Sequence, residues 1–271
     1  MDMSNRDPAN MTFLPFEKNH NAHAFDDYLR RHWTDSFIYS GIYVIVVFGC
    51  QFLMKNRERF ELQPYLAIWS GLLAVFSIMG TIRTVPELIW AVKYNGFEYS
   101  CCSGSYLEHG KVSSFWGCLF ALSKVAELGD TLFMVLRKQQ LIFLHWYHHI
   151  TVLIYVWYSY PDHIGTARYF MVMNFTVHSV MYSYYTLRAL KYNLPKWISM
   201  LITSLQLVQM FSAITVTVIS YNALSSGREC ATNYSNIGWS MIMYFSYLVL
   251  FARFFYMSYI KKGSVIHEKK T

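Results

Sequence analysis

The sequence predicts an all-α integral membrane protein of seven transmembrane helices, with a lumenal or extracellular N-terminus and a cytosolic C-terminus. Three observations carry this. Of 271 residues, 54% are apolar and 18% aromatic, while 14% are charged; an ordinary soluble domain carries roughly a quarter charged residues. Seven apolar stretches approach the ~20 residues needed to cross a bilayer as a helix. The basic residues between them fall mainly on one side. Strand-like alternation long enough for a barrel is absent, as are low-complexity segments and internal repeats. A net charge of +7 in a soluble protein would suggest nucleic acid. In a membrane protein it reports topology instead, and no nucleic-acid partner is expected.

In order, the stretches are about Ser36–Met54, Tyr65–Val92, Val112–Leu136, Gln140–Tyr158, Gly165–Leu190, Lys196–Tyr221 and Asn236–Ile260. This divides the chain into a lumenal segment (1–33), a seven-helix domain (34–260) and a cytosolic tail (261–271). The first 33 residues form no apolar run, so the first spanning helix is expected to direct insertion itself. Lys55, Arg57 and Arg59 follow the first stretch, and Arg137 and Lys138 the third. Arg188, Lys191 and Lys196 surround the fifth-to-sixth connection, and Lys261, Lys262, Lys269 and Lys270 lie in the tail. The positive-inside rule puts this set in the cytosol. The opposite loops hold mainly Lys93, Lys111, Arg168 and Arg228, although Arg6, Lys18, Arg30 and Arg31 in the N-terminal segment run against the trend.

The cysteines agree with this topology. Cys50 and Cys118 lie in helices and read as small apolar residues. Cys101, Cys102 and Cys230 fall in two loops on the non-cytosolic side, where disulfides persist. A bridge from Cys102 or Cys101 to Cys230 is expected. Asn10-Met-Thr and Asn233-Tyr-Ser are sequons on the same side, Asn10 being the candidate for glycosylation. Asn174-Phe-Thr also matches but lies within a helix.

Ionisable residues inside the membrane are costly and mark functional sites. The second stretch carries Arg83 and Glu87 around Pro86; the third carries Lys124, Glu127, Asp130 and Thr131; the fourth carries His145, His148 and His149. The fifth carries Asn174 and His178, then Tyr182, Tyr184 and Tyr185, and the sixth Thr203, Gln206 and Gln209. At ~100° per residue the three histidines of the fourth stretch share one face, and Asn174, His178, Met181 and Tyr185 form a stripe on the fifth. Topology places the third-to-sixth stretches' polar groups at one depth, in the cytosolic half. Thr203, Gln206 and Gln209 equally suit interhelical hydrogen bonding, Lys124 with Glu127 suits a structural ion pair, and the three tyrosines suit packing.

Histidine binds metal, moves protons or acts as a nucleophile. His-x-x-His-His is similar to strings in membrane di-iron enzymes, but those draw many more histidines, and the cytosolic half here offers four. His20, His23, His32, His109 and His163 fall on the other side, and His267 in the tail. A single zinc on the cluster with Asp130, in a metal-dependent lipid-modifying enzyme, is the alternative. No cysteine lies in the polar layer to serve as nucleophile.

Four segments together resemble the signature motifs of the very-long-chain fatty acid elongase family: Lys124-Val-Ala-Glu127-Leu-Gly-Asp130-Thr131, His145-Trp-Tyr-His148-His149, Asn174-Phe-Thr-Val-His178 through Tyr185, and Thr203-Ser-Leu-Gln206-Leu-Val-Gln209. Order and spacing match over nearly the whole chain. Trp146 resembles the members acting on saturated and monounsaturated chains, and Arg137 to Tyr160 the palmitoyl type. The resemblance implies a multi-pass enzyme of the endoplasmic reticulum. It would condense acyl-CoA with malonyl-CoA without a cofactor, working with the reductase and dehydratase of the elongation cycle. His148 is the expected acyl acceptor, assisted by His149 or His178, with Asp130 and Glu127 orienting imidazoles. Asn174 and Gln209 are expected to donate to a thioester oxygen. Lys124, Tyr182, Tyr185 and Gln206 are further expected substrate contacts, and Arg137, Lys138 and Arg188 expected contacts to CoA phosphates. The acyl tail is expected in an apolar tunnel closed towards the lumen. The tail sequence supplies one lysine of a dilysine retrieval signal, Lys269, but not the second. Self-association is left open. A seven-helix receptor would not need four histidines at one depth. A transporter would be expected to have interrupted helices at paired positions, and Pro86 alone interrupts one.

Overall fold

The computed structural model describes residues 11–18, 20–108 and 111–261, and every regular element among them is helical. Asn10, His109, Lys262, His267, Lys269 and Lys270 lie outside the described residues. The helices are α1 Ala22–His32, α2 Asp35–Leu53, α3 Gln63–Trp90, α4 Phe97–Cys102, α5 Val112–Ala126, α6 Gly129–Leu136, α7 Phe143–Ser159, α8 Ala167–Ala189, α9 Lys196–Ser225 and α10 Tyr234–Phe255. Short π-helical turns extend α3 over Ala91–Asn95 and α10 over Tyr256–Lys261.

The chain is an all-α multi-pass membrane protein. The helices α2, extended α3, α9 and extended α10 are long and apolar enough to cross a membrane by length and composition. Each buries one face and exposes large apolar side chains elsewhere. On α2 the buried residues are Ser36, Ser40, Tyr43 and Val47, at helical spacing, while Ile38, Ile42, Ile45 and Phe52 are exposed. Such an outer surface suits lipid.

The other three stretches differ from the sequence expectation. The third is two helices, not one. It breaks at Glu127–Leu128, where tight turn bonds run from Leu128 N–H to Val125 O and from Asp130 N–H to Glu127 O. The fourth, α7, has 17 residues. The fifth, α8, buries Arg168, Asn174 and His178 among its apolar residues. Helices α5, α6 and α7 are as apolar as the long spans but shorter, whereas α8 is less apolar because it directs polar groups inward.

Helices α3 and α8 pack antiparallel along most of their length. The seam on α3 is small: Ala67, Ser70, Ala74, Ser77, Gly80 and Thr84 are buried at three- and four-residue spacing. Small side chains let helix backbones approach closely. A Cβ on Gly80 would meet the Phe175 ring. This seam sets the depth and rotation of α8.

One end of the bundle is tied by its loops. Cys102 and Cys230 are joined by a disulfide, and Cys101 is a free, buried cysteine. Ala231 N–H donates to Cys102 O at 2.6 Å, and Gly165 N–H to Ala231 O at 2.8 Å. A Cβ on Gly165 would lie 2.7 Å from Ser103 N, so only glycine fits between these backbones. Arg168, expected as a loop charge, is instead fully buried in α8. Its guanidinium donates to both oxygens of Glu87, to Ser100 O and to Ser105 Oγ. Arg83 likewise donates to both oxygens of buried Glu17, which also accepts from Trp116 Nε1 at 2.8 Å. Burial would raise the Glu17 carboxyl, but the bonds from Arg83, Trp116 and the Leu14 N–H outweigh it and hold it below the ordinary range. The charges around Pro86 therefore fasten loops and the N-terminal segment. The same segment contains an unexpected helix, α1, which the Asn21 side chain caps at the Ala24 N–H. Asn233 caps α10 and donates to Asp162, so its side chain is already engaged.

Gly165→Ala is expected to lower stability by about 1–3 kcal/mol, because the clash is with backbone. A lowered thermal midpoint of the purified protein checks this.

Candidate active site

Residues from eight helices meet around the last turn of α5, the first turns of α7 and the middle of α8. Lys124 and Glu127 lie on the last turn of α5 and at the break. Lys124 Nζ is 2.7 Å from Glu127 Oε1 and donates to Asn174 Oδ1 at 2.9 Å. Both side chains are almost fully buried, at 1% and 4% exposure. Ser123 Oγ donates to the same Glu127 oxygen. Asn174 Nδ2 is 3.1 Å from His178 Nε2, one helical turn along α8. His178 Nδ1 faces Glu127 Oε2 at 3.9 Å, and that oxygen has no hydrogen-bond partner among the described residues. The four residues thus close a ring across α5 and α8.

Beyond the break, α6 supplies a second set. Thr131 Oγ1 lies 3.0 Å from His145 Nε2 and 2.7 Å from the Tyr43 hydroxyl of α2. Asp130 accepts from Trp69 Nε1 at 2.7 Å and from the Tyr182 hydroxyl at 2.6 Å. Asp130 therefore fixes two aromatic rings from α3 and α8. The expectation that it orients an imidazole is corrected, since both of its oxygens are committed elsewhere. Trp69 reaches it because Gly129 leaves space: a Cβ there would sit 2.8 Å from the indole.

The three histidines of α7 stand together. The His149 ring lies 4.6 Å from that of His145 and 5.5 Å from that of His148, centre to centre. His149 Nδ1 is buried without a hydrogen-bond partner among the described residues. The His148 ring packs on Tyr247 of α10 at 4.9 Å, and the Tyr247 hydroxyl bonds Thr151 and His148 O.

His148, Asn174 and Gln209 line the same narrow cavity. Its walls include Phe120, Val152, Phe170 and Met171, and Tyr106, Leu107 and Tyr160 also line it. Tyr106 and Leu107 follow α4, and Tyr160 ends α7, so the cavity reaches the disulfide-tied end of the bundle. A Cβ on Gly117 would meet Leu107 at 2.5 Å.

The other expected site residues lie outside this cavity. Gln206 contacts Met181 Sδ at 3.5 Å, and Tyr185 is exposed and packs beside Tyr182. Arg137 and Lys138 line a surface groove with Glu58, Arg59 and Glu61, and Arg188 is exposed. Trp146 packs between Phe48 and Phe143, towards α2. No three His, Cys, Asp or Glu side chains among the described residues are arranged to hold a metal ion. Three residues of the site, Tyr43, Trp69 and Tyr247, were not singled out in the sequence. Tyr43 sits on the serine-containing face of an otherwise lipid-suited helix, a hydroxyl that needs a partner; this was its one available signal.

A histidine cluster with His149 buried, beside an apolar cavity, suits a membrane enzyme with an apolar substrate. The chain belongs to the ELO (GNS1/SUR4) family, whose model matches residues 28–266. It is 53% identical over 238 residues to the very long chain fatty acid elongase 6 of Drosophila melanogaster, covering 87% of this chain and 75% of that protein. It is 44% identical over 247 residues to the elongase 6 of Homo sapiens, covering 91% and 92%. Against the very long chain fatty acid elongase 3 of Homo sapiens it is 40% identical over 255 residues, covering 93% of each. The enzyme is a fatty acid elongase, and acyl-CoA and malonyl-CoA are the substrates its family membership implies.

Gly129→Ala is expected to displace Trp69 from Asp130 and to cost about 1–3 kcal/mol by overpacking. Thermal melting measures the loss, and the fluorescence difference from a Trp69→Phe counterpart reports the displacement among the eight tryptophans.

Proposed function

We propose that this elongase extends saturated and monounsaturated acyl-CoA of about C12–C16 by two carbons, using His148 as acyl acceptor. The observation that carries the reading is the shared position of His148, Asn174 and Gln209 on one apolar cavity. A His148 ring nitrogen attacks the thioester carbonyl, the C–S bond breaks, and CoA leaves as its thiolate. Asn174 and Gln209 are placed to donate to the oxyanion formed in that step. Malonyl-CoA then loses carbon dioxide, and the electron pair of the broken C–C bond becomes the enolate of acetyl-CoA. The enolate carbon attacks the acyl-imidazole, the new C–C bond forms, and His148 is released with 3-oxoacyl-CoA. His149, with its unpaired Nδ1, and His178 are the candidates to steady the enolate.

The acyl tail runs towards Tyr106, Leu107 and Tyr160, and that end limits its length. In this reading all seven helical stretches cross the membrane. The disulfide end is lumenal with residues 1–33, and the tail 261–271 is cytosolic. The cytosolic surface carries Arg137, Lys138 and Arg188 near the expected CoA phosphates. Location in the endoplasmic reticulum, glycosylation at Asn10, and association with a reductase, a dehydratase or a second copy belong to the same proposal.

Incubation of purified protein with acyl-CoA alone, followed by intact-mass analysis, is expected to reveal an acyl adduct that His148→Ala abolishes. Condensation is expected to fall by at least about 10³-fold in that variant. An adduct that survives removes His148 from this role, and loss of activity on exhaustive chelation favours the metal-dependent alternative. Leu107→Ala is expected to lengthen the accepted chain by about two carbons, because it removes three side-chain carbons at the cavity end. A chain-length series of acyl-CoA substrates checks this.

A further inference from the structure

Among the described residues Lys124 makes no hydrogen bond to the histidines of α7; it reaches towards the one histidine of α8. A lysine ammonium donates hydrogen bonds and accepts none. Its 2.9 Å contact with Asn174 therefore falls on the carbonyl oxygen of the amide. The amide nitrogen must then be the atom 3.1 Å from His178 Nε2. That nitrogen carries only hydrogens to give, so His178 Nε2 must accept. The proton of the neutral ring is left on Nδ1, where Glu127 Oε2 waits at 3.9 Å with no hydrogen-bond partner among the described residues. Glu127 Oε1 is meanwhile occupied by Lys124 and Ser123, which leaves Oε2 as the oxygen facing the ring.

We infer that Lys124 is a positioning residue that holds His178 in the Nδ1–H tautomer through the amide of Asn174. The inference rests on the reading of His178 and Asn174 as parts of the reaction site, and it adds a direction to each. Lys124 fixes which end of Asn174 donates, and Asn174 fixes which nitrogen of His178 bears the lone pair. Without the ammonium nothing on α5 distinguishes the two ends of the amide. Asn174 can then turn, and the proton of His178 can move to Nε2. The amide has a second hydrogen besides the one given to His178, and the residue lines the cavity. A fixed amide therefore keeps a donor available to the substrate, while a turned one presents an oxygen. The Lys124–Glu127 pair is thus more than charge compensation: it orders the two polar groups next to it.

The test is nitrogen NMR of full-length protein labelled at histidine, in lipid nanodiscs and without substrate. The His178 signals are identified by their loss in His178→Gln. The wild-type ring is expected to carry its proton on Nδ1; a proton on Nε2 overturns the inference. Lys124→Met is expected to shift His178 towards the Nε2–H form and to lower kcat by about 10²-fold, while the KM for acyl-CoA stays within about two-fold. Lys124→Met leaves Glu127 buried without its cation, so the charge-neutral double variant Lys124→Met/Glu127→Gln serves as the folded companion. Its fold is monitored by the Cys102–Cys230 disulfide and a single size-exclusion peak. A glutamine at 127 can turn either its oxygen or its amide hydrogens to Nδ1, so it imposes neither tautomer, and the shifted form is again expected. If the double variant keeps the wild-type tautomer and regains activity, Lys124 only neutralises Glu127, and the inference fails. The tautomer is read without any reaction, so failure of the acyl-imidazole proposal leaves this result standing, and the converse also holds.

Discussion

The buried pair of Lys124 and Glu127 sets the terms for the interior. An uncompensated charge in such surroundings is worth several kcal/mol of penalty, and removing one member of a buried pair typically costs about 3–5 kcal/mol. The pair alone leaves hydrogens on the ammonium and lone pairs on the carboxylate unsatisfied. Asn174 and Ser123 take part of that capacity. Bringing Asn174 to the lysine requires α8 at one depth and one rotation. The small seam of α3, from Ala67 to Thr84, provides that placement. The polar ring is therefore a demand placed on packing elsewhere.

The break after α5 answers a related demand. A continuous helix would place Lys124, Glu127 and Thr131 on one face, in a single column. The tight turn at Glu127–Leu128 lets the chain serve two neighbourhoods instead. Lys124 and Glu127 engage α8, and Thr131 engages α2 and α7. Gly129 lies just beyond the turn and admits the Trp69 ring to the Asp130 carboxylate. The short motif from Lys124 to Thr131 thus connects α2, α3, α7 and α8.

Much of this was legible in the sequence because polar residues in apolar stretches are conspicuous. The helical stretches, the histidine face of α7 and the polar stripe of α8 follow from periodicity and cost. The pairing of those residues was not legible. Asp130 was expected beside an imidazole, but its partners are Trp69 and Tyr182, and an aromatic residue in an apolar helix reads equally as packing. Arg168 looked like a loop charge because it stands near the start of its stretch, yet Glu87, 81 residues earlier, buries it. Neither local propensity nor charge counting carries that long-range match. The break at Glu127 was hidden for another reason: no proline marks it, and its cause is tertiary.

The disulfide end also has a consequence for how the molecule is made. Cys102 sits before α5, and its partner Cys230 lies just before α10, 128 residues later. Gly165 is held beside them by its N–H bond to Ala231 O and by close packing on the backbone of Cys101 to Ser103. Tyr244 and Tyr247 of α10 complete the cavity wall. During synthesis, the wall of the cavity therefore stays incomplete until nearly the whole chain exists. The closing of the cavity is then a late assembly event, governed by the arrival of the last helix and by the oxidation of one pair of thiols.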